Sequence, residues 1–398
     1  MKSFVTSSRS RRSARGFSLI ELLVGIVIGL VGLLAIFKIV GIWDSHTRST
    51  VAGGDADVAG TLAMFMLERD IKQAGAGFGT APANAFNCNG VGFHVNDALT
   101  GTSRDLPFYP IQIVADATGA PDRINVLYGN SSFFTSTQTY GVSTATTKTI
   151  TLNQYTFKPG DLAVVAGTVS QPCSLVEITT APTTGGVITH APGNYAAYYS
   201  NAAASNPAAR FNGAAGTLTA YGSGTIYNLG PAPQYNGWSI AGNRVLRRSE
   251  QIFNAATGPI DVAEGVINMK AQYGIDANGD SVIADSEWTT TPPTAANWPR
   301  LLAVRVALLV RSGQWERSAD GSASGVPTGV TTSAPQPSWA GTSVCVPTDS
   351  CNFGMTNVDG SPDTFSATDS NPNNWRYYRY RVYERVIPLR NMIWGNWQ

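Results

Sequence analysis

Hydrophobic positions are distributed very unevenly along this chain. Phe17 to Phe37 is a run of 21 residues that contains a single charged residue, Glu21. Because a helix rises ~1.5 Å per residue, this run is long enough to cross the ~30 Å hydrocarbon core of a bilayer. Lys38 closes the run, and Trp43 lies where an aromatic residue often marks the membrane surface. The pattern predicts one membrane-spanning helix over residues 17–43.

Helical spacing continues beyond the membrane segment. Five apolar residues fall on one helix face: Ala63, Met64, Leu67, Ile71 and Ala74. This spacing predicts that the helix continues, outside the membrane, over residues 44–79. Gly53 and Gly54 interrupt the spacing and predict a bend or a short melted segment. The glycine-rich run 75–79 predicts the end of the helix, because glycine commonly terminates helices.

Short alternating runs replace the helical spacing from residue 80 onward. Residues 267–275 and 302–310 alternate in the way that β-strands do. Further predicted strands are Arg123–Tyr128, Lys148–Leu152, Leu162–Ala166, Leu175–Thr179 and Arg379–Ile387. Residues 181–240 and 319–374, rich in small and polar residues, are predicted to be long loops. The fold class is therefore α+β, with a long N-terminal helix packed on a large β-rich head over residues 80–398.

Charge is sparse and asymmetric. The chain has 27 basic and 26 acidic residues, and charged residues make up 13% of it, about half the usual one-quarter. The first sixteen residues hold five basic residues and no acid, so the rest has 22 basic and 26 acidic residues, a net charge of −4. Cations remain on the cytoplasmic side of a membrane helix. We therefore expect the N-terminus inside and the head outside, and we do not expect nucleic acid as a partner.

Glu21 is unusual because a carboxylate at membrane depth costs several kcal/mol unless it is paired or neutralised. If the chain were cut between Gly16 and Phe17, the new amine of one subunit could pair with Glu21 of a neighbour in a helix bundle. Alternatively, Glu21 is a lone acid that reaches water at the inner interface. Residue spacing alone does not separate these two interpretations.

The ten residues Arg15-Gly16-Phe17-Ser18-Leu19-Ile20-Glu21-Leu22-Leu23-Val24 resemble the prepilin leader motif of type IV pilins and type II secretion pseudopilins. The resemblance implies that residues 1–16 are a cytoplasmic leader and that a prepilin peptidase cuts after Gly16. It implies that Phe17 becomes an N-methylated terminus and that Glu21 supports filament assembly. Lys38 stands where major pilins often carry proline, which favours a minor pilin.

Three further segments resemble PilW-like minor pilins: Leu67–Gly75, Leu308–Ser312 and Val386–Asn391. This resemblance implies a type IV pilin-like fold, and a subunit that joins a tip complex which primes pilus assembly and supports twitching motility, adhesion and DNA uptake. The implied partners are other minor pilins, the major pilin, a pilus-tip adhesin, the prepilin peptidase and the inner membrane. The implied location is the inner membrane with the head in the periplasm, and then the pilus fibre.

Two alternatives remain open. A J-like minor pseudopilin of type II secretion shares the leader and the helix, but its head is usually much smaller. A ligand-binding or adhesive module carried on a pilin tail would use the long loops to hold a ligand. Clustered aromatic residues and paired carboxylates at one pocket would support that second alternative.

Catalytic motifs are missing from the sequence. His46, His94 and His190 are scattered, and we expect all three at the surface or in loops. The chain has no HExxH, GxSxG or P-loop pattern, so we expect no enzyme. Residues 375–385 interleave arginine with tyrosine, a pattern that can stack bases. We prefer to interpret it as an ordinary half-buried strand.

An acidic run starting at Asp276 resembles a calcium-binding loop. Acids or amides occupy positions one, three and five, and a glutamate occupies position twelve, as in an EF-hand. The predicted Ca²⁺ ligands are Asp276, Asn278, Asp280, Val282, Asp285 and Glu287. Ser281 replaces the expected glycine at position six, and a strand precedes the run. We therefore expect a calcium-binding β-loop, with a solvated acidic turn as the alternative.

Four cysteines lie in the part that we expect to be exported. They allow three pairings in an oxidising compartment. Cys345 and Cys351 enclose only five residues, which favours a bond between them and leaves Cys88 to pair with Cys173. A zinc site is the rival hypothesis, but no CxxC or histidine cluster supports it.

Overall fold

A computed structural model provides the structure of the protein. It describes residues 18–79, 88, 92–116, 120–132, 137–152, 154–167, 173–182, 185–199, 206–213, 221–242, 244–255, 257–314, 337–339, 353, 355 and 374–393. Gly16, Phe17, Cys345 and Cys351 therefore lie outside the described residues, as does most of the predicted loop 319–374.

The N-terminal helix is one continuous element. Helix α1 (Leu19–Gln73) has 55 residues and passes through Gly53 and Gly54 without a break. The predicted melted segment at this pair is therefore wrong. Each glycine costs only ~1 kcal/mol relative to alanine, and helix that is already formed on both sides outweighs that cost. The helix ends as predicted, with the following Gly75 in the left-handed conformation, at φ 78°.

Eight of the seventeen described strands form a large first sheet. Its described strands are β1 (Phe93–Asp97), β2 (Thr102–Leu106), β5 (Gln138–Ser143), β6 (Thr147–Ile150), β7 (Leu162–Gly167), β8 (Cys173–Glu177), β9 (Val187–Thr189) and β10 (Gly224–Gly230). Their order across the sheet is β2-β1-β8-β7-β10-β5-β6-β9. Neighbouring strands are antiparallel, except that β1 and β8 run parallel.

Two smaller antiparallel sheets complete the described part of the head. The second sheet contains β3 (Ile111–Val114), β4 (Arg123–Tyr128), β11 (Gln234–Ala241), β12 (Val245–Glu250) and β13 (Ile260–Glu264), in the order β13-β12-β11-β4-β3. The third sheet contains β14 (Val266–Ile275), β15 (Trp288–Thr289), β16 (Leu301–Arg311) and β17 (Tyr380–Pro388), in the order β15-β14-β16-β17. A short helix, α2 (Arg390–Ile393), follows.

The seven predicted strands are all present, as β4, β6, β7, β8, β14, β16 and β17. The predicted long loop 181–240 is wrong in part, because β9, β10 and most of β11 lie within it. Glycine and asparagine in these strands obscure the alternation. Their apolar members are nevertheless buried, as Leu229, Tyr235 and Trp238 show.

One large hydrophobic core joins the helix to all three sheets. Leu67 and Ile71 of α1 are fully buried in it together with residues of every sheet. Strand β7 is buried on both faces: Val164 belongs to this core, whereas Val165 belongs to a second core on the other face of the first sheet. The first sheet therefore carries hydrophobic packing on both sides.

The outer face of the third sheet is also covered. Ala307 and Leu309 pack there against Phe353 and Trp375, in a small cluster of its own. The Nδ2 atom of Asn268 donates a hydrogen bond of 2.7 Å to the Phe353 carbonyl oxygen. Part of the segment predicted as the loop 319–374 therefore folds back onto the sheet.

A disulfide links Cys88 to Cys173, with the two Cα atoms 5.3 Å apart. This is the pairing that the sequence left after Cys345 and Cys351 were assigned to each other. Cys173 begins β8 and lies opposite Phe93 of β1. The bond therefore fastens the chain that leads into β1 to the neighbouring strand β8.

Candidate functional site on the stalk helix

Within the part of the chain that the structure describes, the head does not cover the apolar first half of α1. The stretch Leu19–Asp44 is 26 residues long, apolar enough to cross a membrane, and none of its most apolar window is buried by the head. All of its leucine, isoleucine and valine side chains except the half-buried Ile42 are therefore exposed in the isolated protein. An apolar surface of this size requires lipid or the helices of other subunits to cover it.

Glu21 lies in the first turn of α1. Its Oε2 atom accepts a hydrogen bond from the Ser18 backbone N–H, at 3.3 Å. The arrangement satisfies one of the amide groups that every helix N-terminus leaves unpaired. The role of Glu21 in assembly stays a prediction.

The second half of α1 is held by the head, beginning at Asp57. Its Oδ1 atom accepts a hydrogen bond of 2.7 Å from the Tyr383 hydroxyl and lies 2.9 Å from Nε of Arg381. Burial and the bond to Asp57 raise the pKa of Tyr383 to about 12. The Tyr383 ring lies directly over Gly60, where any Cβ would overlap it. Glycine at this position therefore allows β17 to approach the helix closely.

Asp70 makes the most extensive polar contact between helix and head. Its side chain is fully buried. Oδ2 accepts hydrogen bonds from Nδ2 of Asn236 at 2.8 Å and from Nε1 of Trp238 at 3.0 Å. Oδ1 accepts one from the Tyr128 hydroxyl at 3.2 Å. Burial, followed by the charge of Asp70, raises the pKa of Tyr128. Three donors from β4 and β11 thus converge on one helix carboxylate.

The C-terminal end of the helix is capped by the head. Nδ2 of Asn391 donates to the carbonyl oxygens of Gln73 and Ala74, both at 3.1 Å. The Gly75 N–H donates to the Leu127 carbonyl oxygen at 3.0 Å. These bonds satisfy backbone groups that a helix end leaves without partners. The stalk helix therefore enters the head as a fixed element.

Sequence patterns did not identify these junction residues. Asp57 and Asp70 are acids on the part of the helix that faces the head, and their partners lie far away in sequence. The one available signal was the position of Asp70, three residues after Leu67 and four before Ala74 on the predicted apolar face. An acid on such a face indicates a buried acceptor that needs donors.

The predicted calcium loop is a tight turn between β14 and β15. Both carboxylate oxygens of Asp276 accept backbone N–H groups, from Gly279 at 2.7 Å and Ser281 at 2.8 Å. Glu287 accepts the N–H groups of Ala277 and Ala284, each at 2.9 Å. Ser281 has a φ of 66°, the left-handed conformation that favours glycine. The loop thus brings both ends of the predicted ligand set together.

Metal binding at this loop stays a prediction. Among the described residues, no group of three or more histidine, cysteine, aspartate or glutamate side chains is arranged to hold a metal ion. Val282 and Asp285 lie on the exposed turn between Ser281 and Glu287. The backbone bonds to Asp276 and Glu287 account for their present positions.

The structure also shows the position of the arginine–tyrosine segment that the sequence predicted as a half-buried strand. Arg381 and Arg385 are exposed, whereas Tyr380 and Val382 pack on the outer-face cluster of the third sheet, so the segment is a half-buried strand.

His190 differs from expectation because it is fully buried. Its Nε2 atom lies 3.0 Å from Nζ of the buried Lys148. Burial and the Lys148 charge lower the pKa of His190 to about 3, and burial lowers the pKa of Lys148 to about 8.

Two protein-family models match this chain. The prokaryotic N-terminal methylation motif matches residues 11–37, and the Type IV Pilus-assembly protein W family, PilW, matches residues 235–391. In these two ranges, which together cover less than half of its length, the chain is similar to PilW-like type IV minor pilins. No curated protein and no solved structure matches it significantly.

The two matched ranges contain the first part of the stalk helix and several head residues that bind its second part. Residues 11–37 include Glu21 and most of the membrane segment. Residues 235–391 include Trp238, Tyr383 and Asn391, each of which donates a hydrogen bond to a different position along α1. The first sheet, from β1 to β10, lies outside both matched ranges. The apolar helix and the prepilin motif fit a pilin that is anchored in the inner membrane and later joins the pilus.

Proposed function

We propose that this PilW-like protein joins other minor pilins in a complex that primes pilus assembly at the inner membrane and then lies at the fibre tip. The observation that carries this proposal is the exposed apolar stretch Leu19–Asp44, which continues without a break into a helix gripped by the head. Such a subunit can leave lipid for an equally apolar helix bundle while its head keeps a fixed orientation.

The mechanism is assembly rather than catalysis. The leader holds the precursor in the membrane with the head in the periplasm. Cleavage after Gly16 frees Phe17, which becomes methylated, and Glu21 pairs with the free amine of a neighbouring subunit. Pairing of a buried carboxylate with one specific amine favours one register of helix packing, because any other register leaves the charge unpaired.

The proposed partners follow from this mechanism. The apolar half of α1 would contact other minor pilins and the major pilin, and the head would contact a pilus-tip adhesin. Twitching motility, adhesion and DNA uptake are pilus functions that would depend on this subunit. The match to the PilW family supports the pilus over the type II secretion alternative.

A deletion strain tests the proposal. We expect loss of surface pili and of twitching, restoration by the wild-type gene, and failure of restoration by Glu21→Ala. Asp55→Ala, at an exposed position of the same helix, is the matched control and should restore pili. A deletion strain with normal pili and normal twitching would contradict the proposal. Normal pili with defective protein secretion would favour the pseudopilin alternative.

A further inference from the structure

A cavity opens beside β9, an edge strand of the first sheet. Its volume is about 410 Å³, and its lining includes Pro159, Thr180, Thr189, Asn194 and Tyr195. Its volume lies within the range of small-molecule sites, ~300–1,000 Å³, and it is a depression that is open to solvent rather than an enclosed cavity. The lining residues come from β9 and from the segments around it, all of them outside the two family-matched ranges.

Two exposed tyrosines follow the cavity in the loop after β9. The side chains of Tyr198 and Tyr199 are 57% and 36% exposed. Their rings lie edge to face, with centroids 5.0 Å apart. The Tyr198 N–H donates to the carbonyl oxygen of Pro159 at 2.9 Å, so the tyrosine pair is attached to a residue that lines the cavity. Nζ of Lys158 lies 5.3 Å from the Tyr198 ring centroid.

Buried carboxylates hold this tyrosine-rich loop in place. Oε1 of Glu177 accepts a hydrogen bond of 2.5 Å from the Tyr195 hydroxyl. Its Oε2 accepts the Arg210 N–H at 2.6 Å. Asp161 is fully buried next to Tyr199 and, after burial itself, is the main cause that raises the pKa of that tyrosine. Burying two carboxylates costs free energy. Here the two carboxylates hold Tyr195 and Tyr199 in position, next to the exposed Tyr198.

The lining chemistry suits a neutral ligand with many hydroxyl groups. Thr180, Thr189 and Asn194 supply hydroxyl and amide groups that both donate and accept hydrogen bonds. No acidic or basic side chain lines the cavity among the residues that the structure describes. The partly exposed ring of Tyr198 lies outside the lining but is attached to it through the Pro159 carbonyl oxygen, and it adds an aromatic surface near these groups. A pyranose has the same combination, with apolar C–H faces and equatorial hydroxyls.

We propose that this cavity and the adjacent Tyr198 form a binding site for a neutral mono- or disaccharide. The proposal does not depend on the proposed role in pilus assembly, because every residue that carries it belongs to the first-sheet region. It gives the head a recognition surface that is separate from the stalk.

Saturation-transfer NMR on the full-length protein tests the site, in a zwitterionic detergent that contains no sugar. The probes are glucose, galactose, mannose, N-acetylglucosamine, lactose and maltose, with sialic acid as a charged comparison. We expect saturation transfer to at least one neutral sugar and none to sialic acid. Tyr198→Ala should reduce the signal at least fivefold, whereas Tyr198→Trp, which keeps an aromatic face, should retain it.

Leu99→Ala provides the matched control. Leu99 is more exposed than Tyr198 and lies in the turn between β1 and β2, at the opposite edge of the sheet from β9. This variant should bind as the wild type does. Thermal melting of each variant shows whether it is folded. Absence of transfer to every neutral sugar would overturn the proposal, as would a signal that Tyr198→Ala leaves unchanged in a folded protein.

Discussion

The family-matched region and the first sheet use buried polar groups in opposite ways. In the matched region, Trp238, Tyr383 and Asn391 direct their donors at the stalk helix. In the first sheet, Glu177 and Lys148 bond to partners within the same region. The first region therefore fixes the head on its helix. The second has its own core and polar clusters, and it can change its surface without disturbing the stalk.

Removal of Asp70 should have the largest effect on this comparison. Asp70→Ala leaves three buried donors, on Tyr128, Asn236 and Trp238, without an acceptor. We expect the free energy of unfolding to fall by about 3–5 kcal/mol. Urea denaturation of the full-length protein in detergent, followed by tryptophan fluorescence, measures the loss. Asp55→Ala is the control, and an equal loss in both variants would mean that the stalk grip lies elsewhere.

Acid should weaken the first sheet rather than the stalk. His190 has a pKa of about 3 in the folded protein, against ~6.5 when unfolded. Between these two pH values the unfolded chain binds a proton at this histidine and the folded chain does not. The free energy of unfolding therefore decreases as pH falls from 6.5 towards 3. The expected slope is about 1.4 kcal/mol per pH unit.

Unfolding free energies measured at pH 7, 6, 5 and 4 check this dependence. His190→Gln should flatten the slope by one proton, and His46→Gln, at an exposed stalk position, should leave it unchanged. If the histidine variants behave alike, the pair of His190 and Lys148 is not the origin of the acid sensitivity.

A methyl group at Gly60 should loosen the contact between α1 and β17. In Gly60→Ala the new Cβ overlaps the Tyr383 ring, so the ring must move and its bond to Asp57 weakens. We expect a loss of about 1–3 kcal/mol, as for other overpacked positions. Gly54→Ala lies in the same helix with open space around it and should be stabilising by about 0.5–1 kcal/mol. Thermal melting compares the two, and similar changes would contradict the close contact.

Calcium should have the most local effect, confined to the turn after β14. Extracellular calcium modules bind with Kd of ~10⁻⁴–10⁻³ M, so 10 mM Ca²⁺ would stabilise the folded protein by about 1–3 kcal/mol. Asp280→Ala should abolish the difference in melting between Ca²⁺ and EGTA, and Asp55→Ala should retain it. If the melting temperature of the wild type is the same in Ca²⁺ and in EGTA, the calcium hypothesis is wrong.

Sequence patterns predicted the strands whose apolar residues are regularly spaced, even where burial is nearly continuous along the strand. Strands β14 and β16 are examples, with apolar residues at every second position over most of their length. Strands β10 and β11 were missed because asparagine and glycine interrupt that alternation, although Tyr227 and Trp238 anchor them in the core. The break predicted at Gly53 and Gly54 failed because local propensity is weak against a helix stabilised from both ends.

The candidate site was predictable only in part. Glu21 and the membrane segment are local patterns, so a single stretch of sequence reveals them. The side chains that donate hydrogen bonds to Asp70 lie 58, 166 and 168 positions away from it in the sequence. Only the folded sheets bring them together. The tyrosine-lined cavity has the same origin, because β9 and the segment around Pro159 meet only in the folded sheet.

Because α1 is uninterrupted, the head has a fixed rotational position around the helix axis. Successive residues of an α-helix are turned by about 100° around its axis, and between Asp44 and Ala56 no break in the helix absorbs a change of phase. Inserting a single residue there would swing the whole head by more than a quarter turn around the helix axis while leaving every contact inside it intact. The length of this short segment thus determines which side of the head a neighbouring subunit meets.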